Sequence, residues 1–279
     1  MNTFNISRAK LRESNVEVFR DTMDRIKTIP KLWEKAEMNR RDTIFFPPEK
    51  EIDPLQPRYE KQSAIIVSGK RTAEAAMNYR GKHIALLNFA SAWTPGGGVL
   101  SGSSAQEESL CRISTLYPAL QGNPLSAPFY DYHHSLSSYD YSDAVLFTPD
   151  VIFFKSDGTI PEMLDEEDWL HADVITSAAP NLQYERWNEM TKARQEEIRN
   201  LFLSRIDRIL TIAASAQADV LILGAFGCGA FHNPPDVVAK CFKDVIQSYS
   251  HYFETIEFAV FTTPLDDSNY RVFKATLHT

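Results

Sequence analysis

Two adjacent carboxylates, Glu107 and Glu108, stand shortly after a run of three glycines, Gly96, Gly97 and Gly98. Both features lie in NFASAWTPGGGVLSGSSAQEESLCR, from Asn88 to Arg112. Paired carboxylates can serve as general acid and base, and bare glycine backbone can bring N–H donors close to an anion. The stretch therefore reads as a phosphate cradle beside acid/base groups. Gly97 to Ser103 has the glycine spacing of a phosphate loop, but Ser103 stands where that motif needs lysine. Without the ammonium, triphosphate hydrolysis is not expected, while several N–H donors remain for a diphosphate. A turn of positive φ would account for one glycine; three before a helix start argue for close approach to a ligand.

The carboxylates also have a structural reading. Ser104-x-x-Glu107 fits a capping box, which would explain Glu107 but not Glu108. A carboxylate in the first helical turn gains roughly 0.3–1 kcal/mol from the helix dipole, which favours ionisation. A general acid there needs burial, a second carboxylate or a bound diphosphate to raise its pKa. Residue physics alone leaves catalysis here open.

A second glycine-rich stretch, Gly224-Ala225-Phe226-Gly227-Cys228-Gly229-Ala230-Phe231, suits the other side of a diphosphate or a sugar. Cys228 could be a nucleophile, but the sequence places no histidine partner, His232 being only a candidate. A small filler where backbone approaches ligand is the simpler role. Phe226 and Phe231 are either core or ligand contacts. His133 and His134 read as solvated loop histidines, since no carboxylate or cysteine stands at metal-ligand spacing, and no metal is expected. The acidic run DEEDW reads as a solvated face or a helix start.

Strands and helices must hold these loops. SAIIVSG, from Ser63, and IALLNFA, from Ile84, are apolar runs of strand length separated by a short helix, KRTAEAAMNYR. Ser103 and Ser104 are N-cap candidates for a helix over Ala105–Tyr117. PALQGNPLSAPFYDYHHSLSSYDYSDA, rich in Pro, Ser and Tyr, is expected to be a long surface loop. VLFTPDVIFFKSDG offers a broken strand pair, and Asp173 to Ala178 a further strand. The segment from Glu185 to Gln217 reads as a long amphipathic helix with Ile198, Leu201, Phe202, Ile206, Ile209 and Leu210 on its buried face. Val220–Leu223 is a fully apolar strand, PPDVVAKCFKDVIQSYSHYF the helix after the second loop, and TIEFAVFT the last strand. The pattern predicts a three-layer α/β/α domain in which both glycine loops lie at carboxyl ends of strands, where open α/β sheets bind ligands.

Before this core, Val16, Phe19, Met23 and Ile26 fall at helical spacing, which predicts a helix from Ser7 to Lys27; IPKLWEKAEM continues as a second. FFPPEKEIDPLQP is an irregular strap. Residues 1–60 are thus expected to be an N-terminal helical extension and 61–279 the main domain. The chain of 279 residues is 43% apolar and 24% charged, ordinary for a globular protein. The N-terminus lacks the continuous apolar core of a secretory signal, and no run is long enough to span a bilayer. Three cysteines, Cys111, Cys228 and Cys241, form no metal-type pair, which fits a reduced, cytosolic setting. A net charge of −8 argues against coating a long polyanion, DNA included, with a basic field. It permits gripping one end or one unit of an anion.

The motif PGGGVLSGSSAQEE resembles the signature of poly(ADP-ribose) glycohydrolases of the bacterial type. In it, GGG precedes QEE, here with Val99 to Ala105 between Gly98 and Gln106. The later LGAFGCGAFHNPP is similar as well, and the resemblance spans about residues 63 to 275 besides the helical extension. It implies a macrodomain-like mixed α/β/α sheet and an activity that releases ADP-ribose, mainly from chain ends, by cutting ribose–ribose bonds. It implies no cofactor. The implied partners are poly(ADP-ribose), ADP-ribose and poly(ADP-ribosyl)ated proteins, with the chain acting as a monomer away from membranes.

By the same resemblance, Glu108 is the acid/base, Glu107 holds hydroxyls of the terminal units and Gln106 places the helix start. Gly96, Gly97, Gly98 and the neighbouring Val99 approach diphosphate and distal ribose. Gly227, Cys228, Gly229 and Ala230 close on the diphosphate beside Phe226, and Phe231 orients the ribose. Many macrodomains carry N-x-A-N; here Asn88 matches, but Ser91 replaces the second asparagine, and either can make the distal ribose contact. Tyr270 and Phe273 are candidates for the adenine pocket. A non-catalytic ADP-ribose reader and a hydrolase of another ADP-ribosyl bond are the alternatives.

Overall fold

The computed structural model describes residues 7–52 and 55–278. The first six residues of the extension and residues 53 and 54 of the proline-rich strap lie outside the described residues. Among the described residues, seven strands form one sheet: β1 (Ile44–Phe46), β2 (Ala64–Ser68), β3 (Ile84–Phe89), β4 (Val145–Phe153), β5 (Leu170–Ser177), β6 (Val220–Leu223) and β7 (Thr255–Ala259). Their order is β1-β4-β5-β3-β6-β7-β2. From β5 to β2 all neighbours are parallel, while β4 and β1 close one side antiparallel.

The central strand β3 shows why its sequence is a continuous apolar run. Ala85 and Leu87 face one layer, built on α7 (Lys192–Ser215), α8 (Pro235–Ile246) and α9 (Ser268–Leu277). Ile84 and Leu86 face the other, with Leu110, Phe129 and Val174. Alternation disappears because both faces are covered. Each buried Leu or Phe in these layers stabilises the fold by about 1.5–3 kcal/mol relative to exposure. The three-layer expectation holds.

The second layer carries α1 (Arg8–Thr28), α2 (Pro30–Asp42), α3 (Thr72–Ala76), α4 (Gln106–Ile113), α5 (Leu116–Leu120) and α6 (Ala127–Ser135). Ser7 caps α1 through its hydroxyl, and Phe19 and Ile26 are buried as the spacing predicts. The Phe19 ring meets Tyr117 edge-on at 4.9 Å. The Asn15 amide donates to Gly102 O at 3.0 Å, and the Thr22 hydroxyl donates to Arg112 O. The N-terminal helices thus grip the segment that follows the triple glycine. No helix among the described residues is long and apolar enough to cross a membrane.

Several local expectations are corrected. The helix expected over Ala105–Tyr117 breaks at Ser114 and Thr115, where Thr115 N–H and Phe154 N–H cross-link to the carbonyls of Ile152 and Ile113. VLFTPDVIFF is one strand with a bulge, not a strand pair. Pro149 lacks an N–H for the ladder, and Asn39 from α2 takes the carbonyls of Pro149 and Asp150. The expected long surface loop contains α6, which buries Phe129, Tyr130 and His133. His133 is accordingly not solvated. Its Nδ1–H donates to Phe129 O at 2.8 Å and its Nε2 accepts from the Ser142 hydroxyl at 2.9 Å, while burial pushes its pKa down to about 4.

Candidate active site

Strand β3 ends at Phe89, and the chain turns through Ser91 to Gly102 before entering α4. Gly96 and Gly97 sit at φ +69° and +55°. A Cβ on Gly97 would lie 2.6 Å from Glu108 Oε1 and 3.2 Å from Glu107 Oε2, so both carboxylates press on this one backbone position. The glycine there makes room for the acids of its own helix.

Glu107 is buried and anchored at both oxygens. Oε2 accepts the Ser91 N–H at 2.7 Å, and Oε1 lies 3.4 Å from Asn88 Nδ2. The capping-box expectation therefore fails. Residue 105 is the N-cap without any side-chain cap, and Glu107 turns inward to the end of β3. The first turn is instead tied by Arg112, whose guanidinium donates to Ser103 O and, at 3.0 Å, to Ser109 Oγ. Burial pushes the Glu107 pKa up to about 8; the Ser91 N–H opposes this, the charge of Glu108 adds to it, and Asn88 opposes it. That favours the protonated form of Glu107 near neutral pH. Glu108 accepts the Gly98 N–H at 2.8 Å through Oε1, and it lines the cleft.

Gln106 braces the same junction. Its Oε1 accepts the Phe89 N–H at 2.8 Å, and its Nε2 donates to Leu87 O at 2.7 Å and Thr72 Oγ1 at 3.1 Å. Asn88 is fully buried and reaches Thr176 Oγ1 at 3.2 Å. The Ser91 hydroxyl accepts the N–H groups of Trp93 and Thr94 at 3.3 and 3.0 Å, which folds the turn. Gln106, Glu107 and Glu108 thus occupy three consecutive positions: Gln106 braces the strand end, and the two buried carboxylates, each held by a backbone N–H, line the cleft.

The second loop leaves β6, the parallel neighbour of β3. Gly227 sits at φ +74°, where a Cβ would fall 2.5 Å from Ala179 Cβ and 2.6 Å from Asn233 Nδ2. Asn233 staples the loop, donating to Pro180 O at 2.7 Å and Gly227 O at 3.0 Å. Among the described residues, the N–H groups of Gly227, Gly229, Ala230 and Phe231 have no protein acceptor. Phe226 is fully buried against Phe89 and Phe202 below the loop, more floor than ligand handle. Burial pushes the Cys228 thiol well up, against a nucleophile, and its Sγ lies 3.7 Å from Phe226 O.

Between the loops lies a cleft of ≈ 340 Å³. It brings together Ser91, Gly97, Gln106, Glu107, Glu108, Phe226, Gly227, Gly229, Ala230 and Phe231. Asn88, Gly96, Gly98, Val99 and Cys228 stand behind that lining rather than in it. Val99 is fully buried, and a Cβ on Gly96 would meet the Tyr117 ring at 2.7 Å. The exposed start of α4, Ser104 and Ala105, also opens on the cleft.

Sequence reasoning missed the far end. Arg71 and Thr72 follow β2, Phe261 follows β7, and Asn269 begins α9; all four line the cleft. The Arg71 guanidinium lies 3.9 Å from the Phe261 ring centroid. The two aromatic candidates named for that end are corrected. Phe273 is fully buried against Phe258, and Tyr270 packs against the α7–α9 layer. The available signal was position: Phe261 comes directly off a strand end that the sheet places beside β6. Among the described residues, no group of three or more His, Cys, Asp or Glu is arranged to hold a metal.

A family model for the microbial-type poly(ADP-ribose) glycohydrolase (PARG) catalytic domain matches residues 22–156. The poly(ADP-ribose) glycohydrolase of Thermomonospora curvata is similar at 29% identity and a TM-score of 0.83, with 95% of this chain and 100% of that one covered. Its structure bound to the inhibitor ADP-HPD gives 30% identity and 0.81, covering 95% and 99%. The enzyme of Deinococcus radiodurans in complex with ADP-ribose gives 30% and 0.76, covering 87% and 97%. No curated protein matched the chain in a sequence search.

Proposed function

Because the chain belongs to the microbial-type poly(ADP-ribose) glycohydrolase family, we propose that it hydrolyses the ribose–ribose O-glycosidic bonds of poly(ADP-ribose) and releases ADP-ribose from chain ends. One observation carries the reading: two adjacent carboxylates, each anchored by a backbone N–H, line a cleft that also holds an open row of backbone N–H groups. The terminal ADP-ribose lies along the strand ends. Its adenine rests against Phe261 and Arg71, and its diphosphate takes the N–H groups of Gly227, Gly229, Ala230 and Phe231. The start of α4 adds favourable potential for the anion. The distal ribose packs on Phe231 and donates hydroxyl hydrogens to Glu107.

Those donations favour ionised Glu107 and leave Glu108 as the acid of the pair. Glu108 then protonates the leaving 2′ oxygen as the C1″–O bond breaks and an oxocarbenium-like ribose forms. The resulting Glu108 carboxylate takes a proton from the water that adds at C1″, which restores the acid. Asn88 and Ser91 serve by fixing Glu107, and Gly96 and Gly98 by shaping the loop around Glu108. A cleft of ≈ 340 Å³ and a net charge of −8 suit one terminal unit rather than a long track of polymer. The protein acts as a cytoplasmic monomer, reaching modified proteins through the polymer and not binding DNA directly.

Incubation with polymer from an automodified polymerase tests this. Wild type should release ADP-ribose, and Glu108→Gln should retain ADP-ribose affinity while turnover collapses. Wild-type binding without release would make it a reader. Release only from mono-ADP-ribosylated protein would make it a hydrolase of another bond.

A further inference from the structure

Beside the acid pair, on the side away from Phe261, lies a group of aromatic rings that the proposed reaction does not use. Trp93 lies 5.4 Å from Tyr139, the two rings tilted by 43°, and 6.4 Å from His134, and Tyr139 lies 5.0 Å from Tyr184. Trp93 is 39% exposed, Tyr139 40% and Tyr184 69%. The rings continue from the cleft. Phe231, which lines it, lies 6.0 Å from Tyr141, and Tyr141 lies 6.1 Å from Trp93. Trp93 is two residues from Ser91, whose N–H holds Glu107. Sheet order fixes the direction: Phe261 follows β7, whereas Tyr184 follows β5, on the other flank of β3.

The shelf is built, not scattered. The residue after Tyr139, Asp140, and the residue after Tyr184, Glu185, both bind the guanidinium of Arg194. Asp140 does so at 2.6 and 2.8 Å, and Glu185 at 3.0 and 3.2 Å. The Asn181 N–H adds a bond to Tyr139 O at 2.9 Å. Two loops are thereby locked together with their rings turned outward. Exposed rings held rigidly beside a nucleotide cleft suit sequence-tolerant stacking of a base.

We propose that Trp93, Tyr139 and Tyr184 form a subsite that stacks the adenine of the penultimate ADP-ribose unit, the unit carrying the leaving oxygen. This rests on the reading of the cleft as a poly(ADP-ribose) glycohydrolase site. A ribose–ribose bond cut at Glu108 places the leaving ribose, and the adenine attached to it, just outside the acid pair. That is where the shelf lies. It gives a reason to prefer polymer over a single ADP-ribosyl group, because the single group carries no second adenine.

The experiment compares ADP-ribose with a two-unit ADP-ribose dimer, both bound to the inactive Glu108→Gln protein. The dimer should bind about tenfold more tightly, the gain one stacked base supplies. Adding Tyr184→Ala or Trp93→Ala should remove most of that gain and leave the ADP-ribose affinity unchanged; Trp93→Phe should keep most of it. Because Trp93 belongs to the first loop, Tyr184→Ala decides if Trp93→Ala weakens both ligands. Equal binding of dimer and monomer overturns the proposal, as does a dimer advantage that survives Tyr184→Ala together with Trp93→Ala. Failure to bind ADP-ribose at all overturns the reading of the cleft and the shelf with it. ADP-ribose binding without a dimer gain overturns the shelf alone.

Discussion

The two glycine loops leave neighbouring parallel strands at the same edge of the sheet, yet they spend their backbone differently. In the first, Gly98 gives its N–H to Glu108, Ser91 gives its N–H to Glu107, and the N–H groups of Gly97 and Val99 close turns on Thr94 and Gly96. In the second, four N–H groups have no acceptor among the described residues. Glycine serves opposite ends in the two places. Gly97 lets the protein's own carboxylates come close; the stretch from Gly227 to Phe231 leaves donors open for a ligand. On the proposed reading, the first loop should govern turnover and the second affinity.

The largest expected effect falls on the first loop. Glu108→Gln should lower kcat on polymer by about 10²–10⁴-fold, the usual worth of a positioned acid, with little change in ADP-ribose affinity by calorimetry. A fall in affinity equal to the fall in kcat would erase the division between the loops. Gly97→Ala comes next. Its Cβ would push on both carboxylates at a φ of +55°, so kcat should fall on the order of 10²-fold through misplaced acids. A thermal melt should separate this from simple unfolding.

The second loop should answer in affinity. A Cβ on Gly229 meets nothing within 4 Å, so Gly229→Ala should melt like the wild type. If a diphosphate sits there, the methyl displaces it from charge-assisted hydrogen bonds, and the ADP-ribose Kd should rise roughly tenfold with kcat nearly kept. An unchanged Kd would remove the diphosphate from this loop. Gly227→Ala would be a poorer probe, because its Cβ strikes Ala179 and the Asn233 staple.

The comparison also separates what could be read from the chain and what could not. IALLNFA and DVLIL were legible as buried strands because both faces of the sheet are covered and a glycine-rich stretch follows each run. The two loops followed from them. The direction of Glu107 was not legible. Ser104-x-x-Glu107 has the spacing of a cap, but the Ser91 N–H, sixteen residues earlier, outcompetes the local one. Helix α6 was hidden for a similar reason. Its Pro, Ser and Tyr composition looks like loop, and the burial of Phe129 and His133 that stabilises it comes from distant segments. Arg71 and Phe261 are nearly two hundred residues apart in sequence and meet only because β2 pairs with β7.

A pH series sharpens the role of the first loop by a smaller, graded effect. The folded pKa of Glu107, about 8, lies above its ordinary value of 4.5, so the folded state binds a proton that the unfolded chain releases between those values. Its contribution to stability is fully present below about pH 4.5 and is lost as pH rises through about 8. The melting temperature of Glu107→Gln relative to wild type should therefore climb between pH 5 and pH 9. A constant difference would mean that Glu107 is not the proton holder.

The smallest effect should come from Cys228, the residue in the second loop whose type most invites a chemical role. Its thiol is pushed up by burial, so at neutral pH it holds its proton and is a poor nucleophile. Its Sγ lies over Phe226 O, and its N–H closes a turn on Ala225 O, a bond any residue can make. Cys228→Ala keeps that backbone bond and removes one buried sulfur, so kcat and KM should stay within about twofold, in line with a change near 0.5 kcal/mol. A thousandfold loss would turn the second loop into a catalytic element and end the contrast between the loops. Retained activity after the substitution leaves that loop with the task proposed for it: presenting backbone, not side chains, to an anion.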